Sequence, residues 1–342
     1  MDLIRLNANE SPYDLPAPLK EEILEAARAL PFNRYDPGLA DDLRRRLAAY
    51  ADPDSRGPVT AANIVLGNGS DELILLVNEV FAGPGRKVVV ISPSFEMYRI
   101  TALRIGAEVE RFELGPGPAF ALDADALVKA CRDAAVIFVC RPNNPTGTVA
   151  PEAAIDRLLA ETPAVVAVDE AYHEFTGLTL APRAPRSERL IVLRTLSKLF
   201  AVAGLRLGYA IAPAPLAERM NRARLPFNVS TFTQLAARVV VDRRAELEPL
   251  RRAILSETAK LEAGLAGRPG VTVTPTGTNF VLVETPLSAV KLADELRQRG
   301  ILVRTYQDEP ALRHHVRVNA GRSDETGAFL TAFGDVLSHV KA

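Results

Sequence analysis

The chain has 342 residues, 48% hydrophobic and 24% charged, with a formal net charge of −1. That balance excludes a disordered chain and gives no electrostatic reason for binding nucleic acid or an anionic membrane surface. No apolar run approaches the roughly 20 residues of a membrane span and the opening stretch has no apolar signal core, so the expected setting is the cytoplasm.

The first residues carry Pro12, Pro16, Pro18 and Pro31 and read as an arm. Short apolar, β-branched runs follow: NIVLG (63–67), KVVVI (87–91), AEVERF (107–112), AVIFVC (135–140), AVVAVD (164–169), LIVLRT (190–195) and RLGYAIA (206–212). Several are apolar throughout, as strands covered on both faces are. The segments between them read as helices; in SDELILLVNEVFAG, Leu73, Val77, Val80 and Phe81 share one face. Alternating strands and helices predict an α/β fold with a mainly parallel seven-stranded sheet. Past Pro226 the pattern changes. One long helical region is expected from Phe232 to Ala266, then VTVTP, NFVLVE, a helix SAVKLADELRQRG, ILVRTY, HHVRVNAG and a last helix. These strands are shorter and more alternating, which predicts a smaller α+β unit with one wet face. The expected division is an arm at 1–29 that also joins the small domain, a large domain at 30–225 and a small domain at 226–342.

Sheets of this kind bind ligands beyond the carboxyl ends of their strands, and the unusual residues collect there. VLGNGSDE offers Gly67 and Gly69 and then a helix start, where the amides of Gly69, Ser70 and Asp71 suit a phosphate; a plain helix cap by Ser70 or Asp71 fits equally. Phe95 in SPSFEMY is an aromatic plate or a core ring. Asn143 and Asn144 in CRPNNPTG stand in a turn. Asp169 ends a wholly apolar strand, where a carboxylate is costly without a cation, and Tyr172 follows. RTLSKLFAVAGLRLGYAIA carries Ser197, Lys198 and Arg206. Lysine is scarce (positions 20, 87, 129, 198, 260, 291 and 341), so one inside an apolar stretch is informative.

These pieces, with LNANESPY, FNRYDP, RLPFNVS, NFVLV, ILVR and VRVNAG, span nearly the whole chain. In that order they resemble a fold-type I, class I/II aminotransferase dependent on pyridoxal 5′-phosphate, most similar to the histidinol-phosphate aminotransferases. The resemblance implies that Lys198 carries the cofactor as a Schiff base and later serves as general base, with Asp169 on the pyridine nitrogen. It implies that Tyr172 and Asn144 bond the ring 3′-oxygen, that Phe95, where relatives often have tyrosine, stacks on the ring, and that Gly69, Ser70, Asp71, Ser197 and Arg206 hold the cofactor phosphate. Tyr35 would reach that phosphate from a partner subunit, which makes the active site a homodimer's.

Arg317 matches the clamp for the α-carboxylate of glutamate, and Arg304 matches the arginine on the substrate phosphate; a solvated strand arginine is the plain alternative for each. Ser11 stands where some members have tyrosine or asparagine that helps bind substrate, with Tyr13 as a possible replacement. The implied substrates are histidinol phosphate and 2-oxoglutarate, or imidazole acetol phosphate and glutamate in reverse, in histidine biosynthesis. Rival readings are an aromatic amino-acid aminotransferase and a threonine-phosphate decarboxylase. A regulator with an aminotransferase-like sensor would need a basic DNA-binding module, and a Rossmann protein would need G-x-G-x-x-G after the first strand. No metal is expected: His173, His314 and His315 have no ligand spacing, and Cys131 and Cys140 form no CxxC and read as buried reduced thiols.

Overall fold

The computed structural model describes residues 3–35, 38–54 and 58–339. Its strands are β1 (Ile4–Arg5), β2 (Ile64–Asn68), β3 (Lys87–Ser92), β4 (Glu108–Glu113), β5 (Val136–Cys140), β6 (Val165–Asp169), β7 (Leu190–Thr195), β8 (Leu207–Ile211), β9 (Thr272–Thr274), β10 (Phe280–Glu284), β11 (Ile301–Leu302) and β12 (His315–Asn319).

Seven of them form one sheet in the order β2-β8-β7-β6-β5-β3-β4. Pairing from β7 out to β4 is parallel, and β8 runs antiparallel to both β2 and β7. The β-branched runs sit in the middle: β5, β7 and β8 are buried at every position, as strands covered by helices on both faces must be. On one face the helices Ser70–Val77, Met97–Arg104 and Ala214–Ala223 bury Leu73, Val77, Tyr98 and Met220 against Val65, Phe138 and Ile191. Phe81 joins them from the turn that follows, and Val80 packs there partly buried. Strand β4 closes one edge with exposed glutamates at 108 and 113, which discourages pairing with another chain.

The long helix expected over 232–266 is two helices. Thr231–Asp242 is capped by Ser230 Oγ, which accepts from the Thr233 amide. Glu248–Leu265 follows after a 3-10 turn at Arg244–Leu247. Pro249 lies in the first turn of that second helix, where its missing N–H costs nothing; further inside it would break the ladder.

A second sheet runs β12-β10-β9, antiparallel throughout. The expected wet face is absent from its main strands: β12 is buried at all five positions and β10 at its first four. Helices cover one side. On the other, Leu282 packs with Phe120 and Leu312, and Arg317 turns toward the large sheet to meet Asn144. Alternating residue types do not reveal that second cover, because it comes from distant segments. The run ILVRTY is a strand only at β11, which pairs parallel with β1. Arg304 then bridges Arg317 backbone to backbone, each amide donating to the other's carbonyl at 3.0 and 2.9 Å.

Candidate active site

The carboxyl ends of the parallel strands open on a cavity of about 620 Å³. Strand β3 leads to Phe95, β5 to Asn144, β6 to Asp169, and β7 to Ser197 and Lys198; the helix following β2 brings Ser70 and Asp71. Tyr172, Arg206, Arg304 and Arg317 stand on the same wall.

Asp169 is buried at the floor. Its Oδ2 accepts from the Tyr98 hydroxyl at 2.7 Å and its Oδ1 from the Ala171 amide at 3.0 Å. Burial pushes its pKa up to about 6, against the lowering pull of those two donors. Lys198 Nζ lies 5.7 Å from the Tyr172 ring centroid, and among the described residues no carboxylate comes within ion-pair distance of it. Burial, helped by the nearby Arg317 charge, pulls its pKa down to about 8. A fraction of this amine is therefore uncharged near neutral pH, as a nucleophile or base requires. The Tyr172 hydroxyl accepts from Asn9 Nδ2 at 2.9 Å. Phe95 stands edge-on to Tyr98 at 5.7 Å, and Tyr98 stacks on Phe138 at 4.9 Å.

A cradle forms where the helix Ser70–Val77 begins beside the loop after β7. Gly69 is left-handed, with φ 79°. A Cβ there would lie 2.7 Å from Arg206 Nη2, and one on Gly208 would lie 2.4 Å from the Ser70 amide nitrogen. The glycines thus let backbone and guanidinium converge. Arg206 Nη2 meets the Asp71 carboxylate at 3.2 Å, and Ser197 is held by Thr195, whose Oγ1 bonds its hydroxyl at 2.9 Å and accepts its amide at 3.1 Å. At the opposite end, Arg317 Nη1 donates to Asn144 Oδ1 at 2.6 Å and Nη2 to the Asn7 carbonyl at 2.7 Å.

Pyridoxal 5′-phosphate fits these residues. Amides, a hydroxyl and a guanidinium suit its phosphate, a buried carboxylate suits its ring nitrogen, and a weakly basic lysine suits its aldehyde. Several buried polar atoms on this wall have no hydrogen-bond partner among the described residues: Asn7 Oδ1, Asn9 Oδ1, Tyr306 OH and Arg317 Nε. Bare groups of that kind call for a polar ligand.

Four expected residues lie off the wall: Gly69, which caps the helix just before Ser70, and Ser11, Tyr13 and Tyr35. Ser11 and Tyr13 close a local turn on each other, Ser11 Oγ donating to the Tyr13 carbonyl at 2.9 Å and accepting its amide at 3.2 Å, while Tyr13 packs against the core. Asn7 to Glu10 of the same arm line the cavity. Tyr35 is 73% exposed and stacks on Phe227 at 4.1 Å, away from its own chain's cavity; Asp36 and Pro37 of the same motif lie outside the described residues. Among the described residues no cluster of metal ligands occurs, and no helix is long and apolar enough to cross a membrane. Both cysteines are buried, with their thiols pushed up to about 12.

Sequence reading missed Tyr98, Asn9, Thr195 and Tyr306 as wall residues. Each stands within or beside a motif already singled out. Their proximity to that motif was the one signal available.

Residues 1–332 match the family of class I and II aminotransferases. The chain is 37% identical over 341 residues to the histidinol-phosphate aminotransferase of Desulfitobacterium hafniense, covering 98% of this chain and 92% of the relative. Its fold superposes on that of the histidinol-phosphate aminotransferase from Clostridium acetobutylicum with a TM-score of 0.88 at 24% identity, covering 98% of this chain and 100% of the other, a likeness of fold alone. Aspartate aminotransferase from Thermus thermophilus, solved with maleate, superposes at 0.85 with 26% identity, over 98% of this chain and 92% of that one. The chain belongs to the class I and II aminotransferases.

Proposed function

We propose that this aminotransferase exchanges an amino group between glutamate and imidazole acetol phosphate, giving histidinol phosphate and 2-oxoglutarate with pyridoxal 5′-phosphate as cofactor. The observation that carries the reading is one cavity that joins a weakly basic lysine, a buried carboxylate and two arginines bridged through their backbones. The name borne by the curated relatives supports the substrate.

When bound, the cofactor supplies an aldehyde that condenses with amines and a ring that withdraws electrons from the substrate α-carbon. Lys198 would hold the cofactor through Nζ and, as a free amine, would take the proton from the substrate α-carbon; its lowered pKa fits it for both tasks. Asp169 would meet the pyridine nitrogen and hold a proton there; Tyr98 and the Ala171 amide fix the carboxylate plane. Ser70, Ser197, Arg206 and the amides beside Gly69 and Asp71 would hold the cofactor phosphate, Phe95 would cover the ring, and Tyr172 and Asn144 would meet its 3′-oxygen.

The substrate arm needs more than one anion contact. The amine-bearing carbon of glutamate carries its carboxylate directly, whereas in histidinol phosphate a methylene separates it from the phosphate ester. Arg317 meets the nearer anion; Arg304, bridged to it through the backbone, reaches the farther one. The exposed Tyr35–Phe227 stack supports a homodimer in which Tyr35 reaches the partner's cofactor phosphate. A large domain at 30–225 and a small one at 226–342, joined by the arm at 1–29, and a cytoplasmic setting complete the proposal.

The test compares kcat/KM for histidinol phosphate and phenylalanine in the wild type and in Arg304→Ala, with Lys198→Ala as the chemical control. Histidinol phosphate is preferred, Arg304→Ala erases the preference and Lys198→Ala abolishes turnover. Preference for phenylalanine with no effect of Arg304 refutes the substrate; turnover in Lys198→Ala refutes the chemistry.

A further inference from the structure

Tyr306 follows Arg304 by two residues and lines the same cavity. Its ring centroid lies 5.7 Å from the Arg304 guanidinium carbon and 6.0 Å from that of Arg317. The hydroxyl is closed off from solvent and has no hydrogen-bond partner among the described residues. A buried donor left bare is costly, and burial raises its pKa even with both arginines beside it.

The ring cannot easily turn away to satisfy that hydroxyl. It packs against the cluster of Phe120, Leu282 and Leu312. Its loop is tied to the large sheet by Glu309, whose amide donates to the Tyr306 carbonyl at 3.3 Å. The Glu309 carboxylate is buried and accepts from Arg111 Nη2 at 2.6 Å and from Ser92 Oγ at 3.4 Å. The hydroxyl is thus fixed between two guanidiniums, which can only donate to its oxygen, so its own proton has no acceptor among the described residues.

We propose that Tyr306 is a specificity-determining residue whose hydroxyl donates to a substrate phosphate seated between Arg304 and Arg317. A carboxylate has two oxygens, which one guanidinium fork occupies; a phosphate ester has three terminal oxygens and a second negative charge, and uses further donors. The hydroxyl therefore separates phosphate esters from carboxylates and from neutral alcohols. This inference rests on the phosphate-ester reading above.

The test titrates the holoenzyme with histidinol phosphate and with histidinol, its dephosphorylated alcohol, reading Kd from the cofactor absorbance. Tyr306→Phe keeps the ring and removes only the hydroxyl. The Kd for the phosphate ester rises about tenfold, the scale of one charge-assisted hydrogen bond, and the Kd for the alcohol changes by less than about threefold. An unchanged ester Kd, or equal losses for both ligands, overturns the role of the hydroxyl. Arg304→Ala in the same assay separates the two claims. If it erases the preference for the ester while Tyr306→Phe leaves that preference intact, only the tyrosine falls. If neither variant alters the preference, the phosphate-ester reading fails with it.

Discussion

Tyr98 donates a 2.7 Å hydrogen bond to Asp169 Oδ2 from 71 positions away, and both side chains are buried. The carboxylate gains a charge-assisted partner and a fixed plane, while burial still holds its pKa at about 6. Its folded pKa is above the ordinary 3.8, so the apoenzyme loses stability as pH rises from there to about 6.

Tyr98→Phe removes the donor and leaves the stack on Phe138. The Asp169 pKa then rises further, and the neutral acid cannot pair with a protonated ring nitrogen. Affinity of the apoenzyme for pyridoxal 5′-phosphate, measured across pH, loses its acid limb at a pH higher by about one unit. An acid limb that stays where it is in the wild type rejects this coupling.

Gly208→Ala tests the cradle. The added Cβ would lie 2.4 Å from the Ser70 nitrogen and 2.6 Å from the Gly69 carbonyl carbon, both backbone atoms that cannot swing aside. The start of the helix Ser70–Val77 must move, at a cost of about 1–3 kcal/mol. Thermal unfolding of the apoenzyme shifts down and cofactor affinity falls with it. A variant that melts and binds like the wild type shows that the cradle tolerates a methyl group.

Behind the site, Glu170 and Arg194 form an ion pair at 3.1 Å with almost no solvent contact. Glu170 also accepts from Thr179 Oγ1 at 2.7 Å and from the Leu180 amide at 2.6 Å. Arg194→Met strands a buried carboxylate and costs about 3–5 kcal/mol, read as a lower urea midpoint. Adding Glu170→Gln removes the charge, keeps a carbonyl acceptor for the Leu180 amide, turns an NH2 donor toward the Thr179 hydroxyl and restores part of the loss. If the double variant is no better than the single one, the stranded charge is not the cause.

The chemistry-bearing residues were legible where a polar side chain interrupts an apolar strand. Asp169 and Lys198 stand out for that reason, and both line the cavity. Tyr98 was not legible, since tyrosine is ordinary on a helix and its value comes from a partner 71 residues on. Asn9 likewise depends on Tyr172, 163 residues away. The alternation in HVRVN predicted a wet face, but burial followed from segments that sequence periodicity does not see. The arm motif was recognised, yet its cavity-lining residues are Asn7 to Glu10; Ser11 Oγ is spent on the Tyr13 backbone, and the Tyr13 side chain packs against the core.

Strand β1 finds its partner in β11, nearly three hundred residues later. The arm therefore leaves the ribosome long before the strand that fastens it. Until Ile301 and Leu302 have been synthesised, Asn9 can reach Tyr172 but the strand beside it has no partner, so this side of the vestibule is finished only after β11 has emerged.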